Sequence, residues 1–126
     1  MVRLRPNVGS YVRVSYALQH HGRTAAAIRA MRFALEAAGP QGGTAAFVRH
    51  QLGDIYAGLG RTAEAERQNR IGIAIAPGFV PPTVGVAEAH IARGELDTAK
   101  DIMAAAADRL PILEYMITAG ELYEAT

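Results

Sequence analysis

Leu52-Gly53-Asp54-Ile55-Tyr56-Ala57-Gly58-Leu59-Gly60-Arg61-Thr62-Ala63-Glu64-Ala65 is the stretch that decides how this chain folds. An apolar helical stripe runs into Gly60, a new helix opens at Thr62, and Ala65 follows the glycine by five residues. The same phrase occurs as Gly22 with Ala27 and as Gly94 with Ala99. Gly60 to Gly94 is 34 residues, and so is Pro77 to Pro111. Gly22 to Gly60 is 38, with the surplus at Gly39-Pro40-Gln41-Gly42-Gly43. Self-similarity at this period predicts stacked helical hairpins, each too small to bury its apolar face alone. Such arrays mostly present surfaces rather than enclose reactive centres, so neither catalysis nor a cofactor is expected.

Working outward from that stretch, helical spacing of apolar residues predicts seven helices. They run over about 7–21, 24–38, 44–59, 62–76, 81–94, 96–110 and 113–126. Pro6 suits the start of the first, whose inward stripe is Val8, Tyr11, Val12, Ser15 and Leu18. The second turns Ala27, Ile28, Met31 and Leu35 inward, and the third Val48, Leu52, Ile55 and Tyr56. The fourth carries Ala65, Ile71, Ile73 and Ile75, and Pro77-Gly78 stops it. In the sixth, Ala99, Ile102, Met103 and Ala106 are the expected core. No stretch alternates with period two. Short turns between helices of this length make neighbours antiparallel.

Composition agrees. Half of the 126 residues are apolar, mostly alanine and aliphatic, and there is no tryptophan. The net charge of +1 shows none of the basic excess expected of a phosphate-neutralising surface, so no nucleic-acid partner is expected. The absence of cysteine excludes disulfides and thiolate zinc sites. Met1-Val2-Arg3-Leu4-Arg5-Pro6 does not read as a signal peptide, and no apolar run is long enough to span a bilayer. The expectation is a cytoplasmic chain without membrane contact.

These residues resemble the tetratricopeptide repeat (TPR) family. Leu52-Gly53-Asp54-Ile55-Tyr56 matches the family's first-helix element, and Gly60, Ala65 and Pro77 fall at its spacing. Gly94, Ala99 and Pro111 repeat the second half of the pattern, Gly22 and Ala27 begin it, and Ala119-Gly120-Glu121-Leu122-Tyr123 opens a fourth unit. The resemblance implies an all-α, right-handed α-solenoid of antiparallel helix pairs in a single domain over 1–126. Its repeats span about 7–40, 44–77 and 79–111, with a terminal helix or half repeat at 112–126. Some slots depart from the pattern. The tryptophan slot holds Tyr11, Arg49, Thr83 and Met116, and the second-helix aromatic slot holds Met31, Asn69 and Met103. Asn69 and Gly72 are expected to loosen the second unit, a helical glycine costing about 1 kcal/mol against alanine.

In this family the first helix of each pair lines a concave groove that takes a partner's peptide or helix. The resemblance therefore nominates Tyr16, Asp54, Glu88 and Glu121 as equivalent groove positions, with His50 one turn before and Gln19, His20 and Ile91 one turn after. Asp54, Glu88 and Glu121 would form a ladder at roughly 10 Å spacing, the usual helix-packing distance. Two readings stand: an acidic strip that attracts a basic ligand, or solvated faces balanced by arginines such as Arg13 and Arg49. The subfamily that clamps a C-terminal carboxylate needs Lys, Asn and Arg in these slots, and acids and aliphatics stand there instead.

Other polar residues read as structural. His50 and Asp54 are four apart, an i,i+4 surface pair rather than a metal site, because the remaining ligands are missing. His20 and His21 sit at a helix C-terminus, where a cation is favoured. His90 fills a family Tyr slot and reads as packed. The arginines at 23, 29, 32 and at 61, 67, 70 interleave with Glu36, Glu64 and Glu66 as a solvated outer face. The last helix is too apolar for a solvent-facing cap. Leu113, Met116, Ile117, Leu122 and Tyr123 suggest self-association, as a homodimer, or a chain that continues past Thr126.

Overall fold

The computed structural model describes residues 7–109. Six α-helices fill this span, with no strand among the described residues: α1 (Val8–His20), α2 (Thr24–Ala38), α3 (Gly43–Gly58), α4 (Thr62–Ile75), α5 (Val80–Ala92) and α6 (Leu96–Arg109). The seventh expected helix, with Glu121 and the self-association residues Leu113, Met116, Ile117, Leu122 and Tyr123, lies outside the described residues. Each helix packs on its neighbour in sequence, and α3 also packs on α5. The element order is three helical hairpins, α1–α2, α3–α4 and α5–α6.

The three hairpin turns are built alike. Gly22, Gly60 and Gly94 have φ of 75°, 76° and 80°. In this left-handed region a side chain is disfavoured and glycine is not. Each glycine N–H donates three residues back, to Gln19, Ala57 and Ile91, at 2.9–3.0 Å. Each following N–H donates five back: Arg23 to Leu18, Arg61 to Tyr56 and Glu95 to His90, at 2.8–2.9 Å. This is the Schellman closure, which satisfies carbonyls that a helix end leaves orphaned. The residue after each glycine then starts the next helix: the carbonyls of Arg23, Arg61 and Glu95 accept from Ala27, Ala65 and Ala99. The glycine-to-alanine interval of five is thus one turn geometry used three times. All three alanines are buried.

The other helix ends follow local chemistry. Asn7 caps α1 reciprocally with Ser10: its side chain accepts from the Ser10 N–H at 2.9 Å, and its own N–H donates to the Ser10 hydroxyl at 2.8 Å. α5 starts one residue earlier than Pro81, and prolines occupy its first turn, where missing N–H groups cost nothing. Gly39 and Gly42, at φ 79° and 95°, turn the loop between the first two hairpins.

The core divides into two apolar clusters. The larger joins Val12, Met31, Ala34, Val48, Leu52, Ile55, Tyr56 and Ala65, and the second joins Val80, Ala87, Ala99, Met103 and Ala106. Burying a Leu or Met side chain contributes about 2–3 kcal/mol. α4 buries small and polar residues rather than its isoleucines. Its buried face is Ala65, Gln68, Asn69 and Gly72, while Ile71, Ile73 and Ile75 are only half-buried. Ile73 lies two positions from both Ile71 and Ile75, so it points to a different side of the helix from the stripe those two share. Nor do Asn69 and Gly72 read as defects. A side chain at Gly72 would crowd the Pro82 ring, with Cγ at 3.1 Å, so the glycine lets α4 seat on α5. Asn69 is 2% exposed, and both its Nδ2 and its Oδ1 are hydrogen-bonded. In the first hairpin, Val14 points outward, and Ser15 is buried and donates to the Ala27 carbonyl at 2.8 Å.

Candidate peptide-binding groove

Asn69 reaches from α4 into the gap between α3 and α5, and glycines on both helices make room for it. A Cβ at Gly53 would stand 2.5 Å from Asn69 Nδ2, and one at Gly85 would stand 2.5 Å from Asn69 Cγ. Nδ2 donates to the Ala65 carbonyl at 3.0 Å, which leaves Oδ1 as the acceptor for His50 Nδ1 at 2.8 Å. That bond places the proton of a neutral His50 on Nδ1. His50 Nε2 then lies 3.4 Å from Asp54 Oδ2. A buried amide therefore orients an imidazole, and the imidazole faces a carboxylate.

Asp54 forms the edge of a cleft of about 220 Å³ between α3, α4 and α5. Gly53, Asp54 and Ala57 line it from α3, Thr62, Ala65 and Asn69 from α4, and Gly85, Glu88, Ala89 and Ala92 from α5. The cleft exists because nine of these ten residues carry no side chain larger than that of Asn, and the two charged ones, Asp54 and Glu88, are carboxylates. Burial holds the Asp54 carboxyl above its ordinary value, and His50 pulls partly the other way. From α1, Tyr16 donates its hydroxyl to Gln51 Oε1 at 3.0 Å. Burial, then the charge of Asp54, raise the Tyr16 phenol.

The structure thus brings Tyr16, His50, Asp54 and Glu88 to the side where α1, α3 and α5 lie. Gln19 is exposed and donates to Ser15 Oγ at 3.1 Å. His20 is exposed at the end of α1 with its ring edge-on to His21. Ile91 differs: it is half-buried against the second apolar cluster, one helical turn from Ala87, and serves packing more than recognition. Among the described residues no group of three His, Cys, Asp or Glu side chains is placed to hold a metal. No helix there is long and apolar enough to cross a membrane.

No protein-family model matches the sequence, and no curated protein matches it. Solved structures do. The first TPR of Spaghetti (RPAP3), bound to the HSP90 peptide SRMEEVD, superposes with a TM-score of 0.73 at 16% identity, over 94% of this chain and 91% of that one. The second TPR domain of human RPAP3, in complex with the HSP70 peptide SGPTIEEVD, gives 0.70 at 15% identity over 92% and 94%. A thermophilic TPR protein of Thermus thermophilus, TTC0263, gives 0.71 at 21% identity, this chain spanning 65% of its length. The fold is that of the TPR proteins.

TPR architecture gives meaning to two polar sites that periodicity missed. Arg49 fills a slot where the repeat pattern has tryptophan. Its Nη1 donates to Gln68 Oε1 at 3.0 Å, while its Nε is buried without a partner. Burial, then the charges of Arg32 and Arg67, lower its pKa. Glu66, 15% exposed, joins the last two hairpins: Arg70 Nε donates to it at 2.7 Å, and Arg93 Nη1 donates at 2.5 Å. Burial works to raise the Glu66 carboxyl, but the hydrogen bonds and charges of Arg93 and Arg70 prevail and hold it below its ordinary value. His90 is packed, as expected, with Nδ1 2.8 Å from Glu95 and Nε2 3.7 Å from Glu66. The only sign in the sequence was that Arg70 lies four residues after Glu66. Arg93 and His90 reach Glu66 only through hairpin stacking.

Proposed function

We propose that this chain is a non-catalytic scaffold that holds a partner protein's peptide or helix in a groove lined by α1, α3 and α5. On this reading the hairpins form one right-handed solenoid, the groove is its concave side, and repeats near 7–40, 44–77 and 79–111 are followed by a half repeat at 112–126. The observation that carries the proposal is the cleft between α3 and α5, edged by Asp54 and Glu88. Carboxylates in a recessed site draw cationic groups more strongly than the same charges on an open face. The preferred ligand is therefore basic. The peptides held by the RPAP3 domains end in Glu-Glu-Val-Asp, the opposite charge.

The test compares the wild-type chain with Asp54→Lys, Glu88→Lys and Glu121→Lys combined, matched for fold by circular dichroism, on an array of acidic, neutral and basic peptides. Wild type retains basic peptides and the variant loses them. Equal retention by both chains sinks the proposal. A second reading, self-association through 112–126, rests on the apolar run Ile112, Leu113, Tyr115, Met116 and Ile117. Light scattering on the full chain and on a truncation before Leu113 tests it: a monomer in both cases removes it.

A further inference from the structure

We infer that the cleft between α3 and α5 receives one unmodified lysine side chain of the bound partner, its alkyl stem along Ala57, Ala89 and Ala92 and its ammonium between Asp54 and Glu88. This rests on the groove reading above and sharpens it from a charge preference to a single pocket. Three features of the cleft lead there.

Its size suits one extended side chain rather than a stretch of backbone: about 220 Å³, framed by three helices. Its lining is amphipathic in the manner of lysine. Alanine methyl groups offer a path for an apolar stem, and among the described lining residues the two charged groups are both carboxylates. Long basic side chains bury their methylenes along apolar surface while the charged head keeps polar partners. The described lining residues include no aromatic ring, so none of them contributes to the cage that recognises methylated ammonium groups.

The acid at the edge also has a fixed partner whenever the His50 imidazole is protonated. Asn69 is wedged between Gly53 and Gly85 and fixes the His50 ring, which faces Asp54 at 3.4 Å. Asp54 is still 55% exposed, so the imidazole leaves its carboxylate open to a ligand's cation. A pre-positioned acceptor lowers the ordering cost of binding. Gly53, Asn69 and His50 act as positioning residues here.

The experiment titrates the ¹⁵N-labelled full chain with Nα-acetyl-lysine N-methylamide, followed by amide chemical shifts. The Nε-acetylated analogue and the norleucine analogue serve as controls. Shifts are expected at Gly53, Asp54, Ala57, Thr62 and Glu88, with both controls at least about tenfold weaker because the charge-assisted hydrogen bonds are gone. Asp54→Asn weakens the lysine probe about tenfold or more. Ala57→Leu, at an exposed position on the cleft wall, blocks the probe while leaving the urea midpoint near wild type. Binding of norleucine as tight as lysine, shifts centred elsewhere, or an unaffected Ala57→Leu would each overturn the inference. If the lysine probe fails while the Lys-substituted groove variant still loses basic peptides, only this pocket falls. If both fail, the groove reading falls with it.

Discussion

Gly85→Ala ought to stabilise an ordinary helix and should destabilise this one. In a free helix interior the added methyl is worth about 1 kcal/mol in favour of the variant. Here the new Cβ would stand 2.5 Å from Asn69 Cγ and 2.6 Å from Oδ1, distances that real Cβ atoms do not adopt. The amide is buried and bonded at both ends, so it cannot swing away cheaply. Forcing it out costs about 1–3 kcal/mol for overpacking, and losing its hydrogen bonds adds about 1 kcal/mol each. The sum exceeds the propensity gain, and we expect a net loss of about 2–4 kcal/mol. The same substitution made in an Asn69→Ala background meets no amide and should stabilise by up to about 1 kcal/mol. Urea unfolding of the four chains, with the m-value held constant as the check on two-state behaviour, gives the cycle. A sign reversal between the backgrounds is the expected result. The same sign in both would refute the claim that Gly85 exists to admit Asn69.

Other outcomes follow from the same structure. Gly22→Ala, Gly60→Ala and Gly94→Ala should each cost about 1 kcal/mol, because alanine pays a left-handed backbone penalty at φ near 75–80°. Gly58→Ala, whose Cβ meets open space, should instead be neutral or gain a few tenths of a kcal/mol in the same urea assay. Burial raises the Asp54 carboxyl, so the folded chain holds that proton more tightly than the unfolded one. Stability then falls as pH rises from the ordinary carboxylate value through the raised one. Asp54→Asn removes this loss: the variant should gain on wild type at neutral pH, and the gain should vanish in acid. Glu66 has the opposite sense. Its carboxyl is lowered, so its stabilisation is present above the ordinary carboxylate value and lost as pH falls through the lowered one. Glu66→Gln should cost about 2 kcal/mol at neutral pH and little once Glu66 is protonated.

The fold was legible because its turns are local. Gly22, Gly60 and Gly94 each close a helix through bonds to residues three and five back, and such geometry writes itself at fixed intervals in a sequence. The stripes of α3 and α6 were legible for a similar reason: Leu52, Ile55 and Tyr56, and Ala99, Met103 and Ala106, recur at helical spacing. α4 was not legible. Its isoleucines outweigh its buried face in any reading by hydrophobicity, yet Gln68 and Asn69 hold the core positions because partners on α3, Arg49 and His50, meet them there. Those pairs are 19 residues apart in sequence, so no local pattern announces them. The groove side was placed by resemblance, which put Asp54 and Glu88 in equivalent slots. That a cleft lies between them depends on Gly53 and Gly85 flanking one amide, a relation visible only once three helices are packed.

The central claim is that the side of the chain carrying Asp54 and Glu88 holds a basic segment of a partner. The most direct measurement is the affinity of one array-selected basic peptide for wild type and for the single variant Glu88→Lys, read across a salt series by isothermal titration. Our account predicts binding that weakens with salt in wild type, and a loss of about tenfold or more in the variant together with most of that salt dependence. Equal affinities with equal salt dependence, or tighter binding of acidic peptides by wild type, would contradict it.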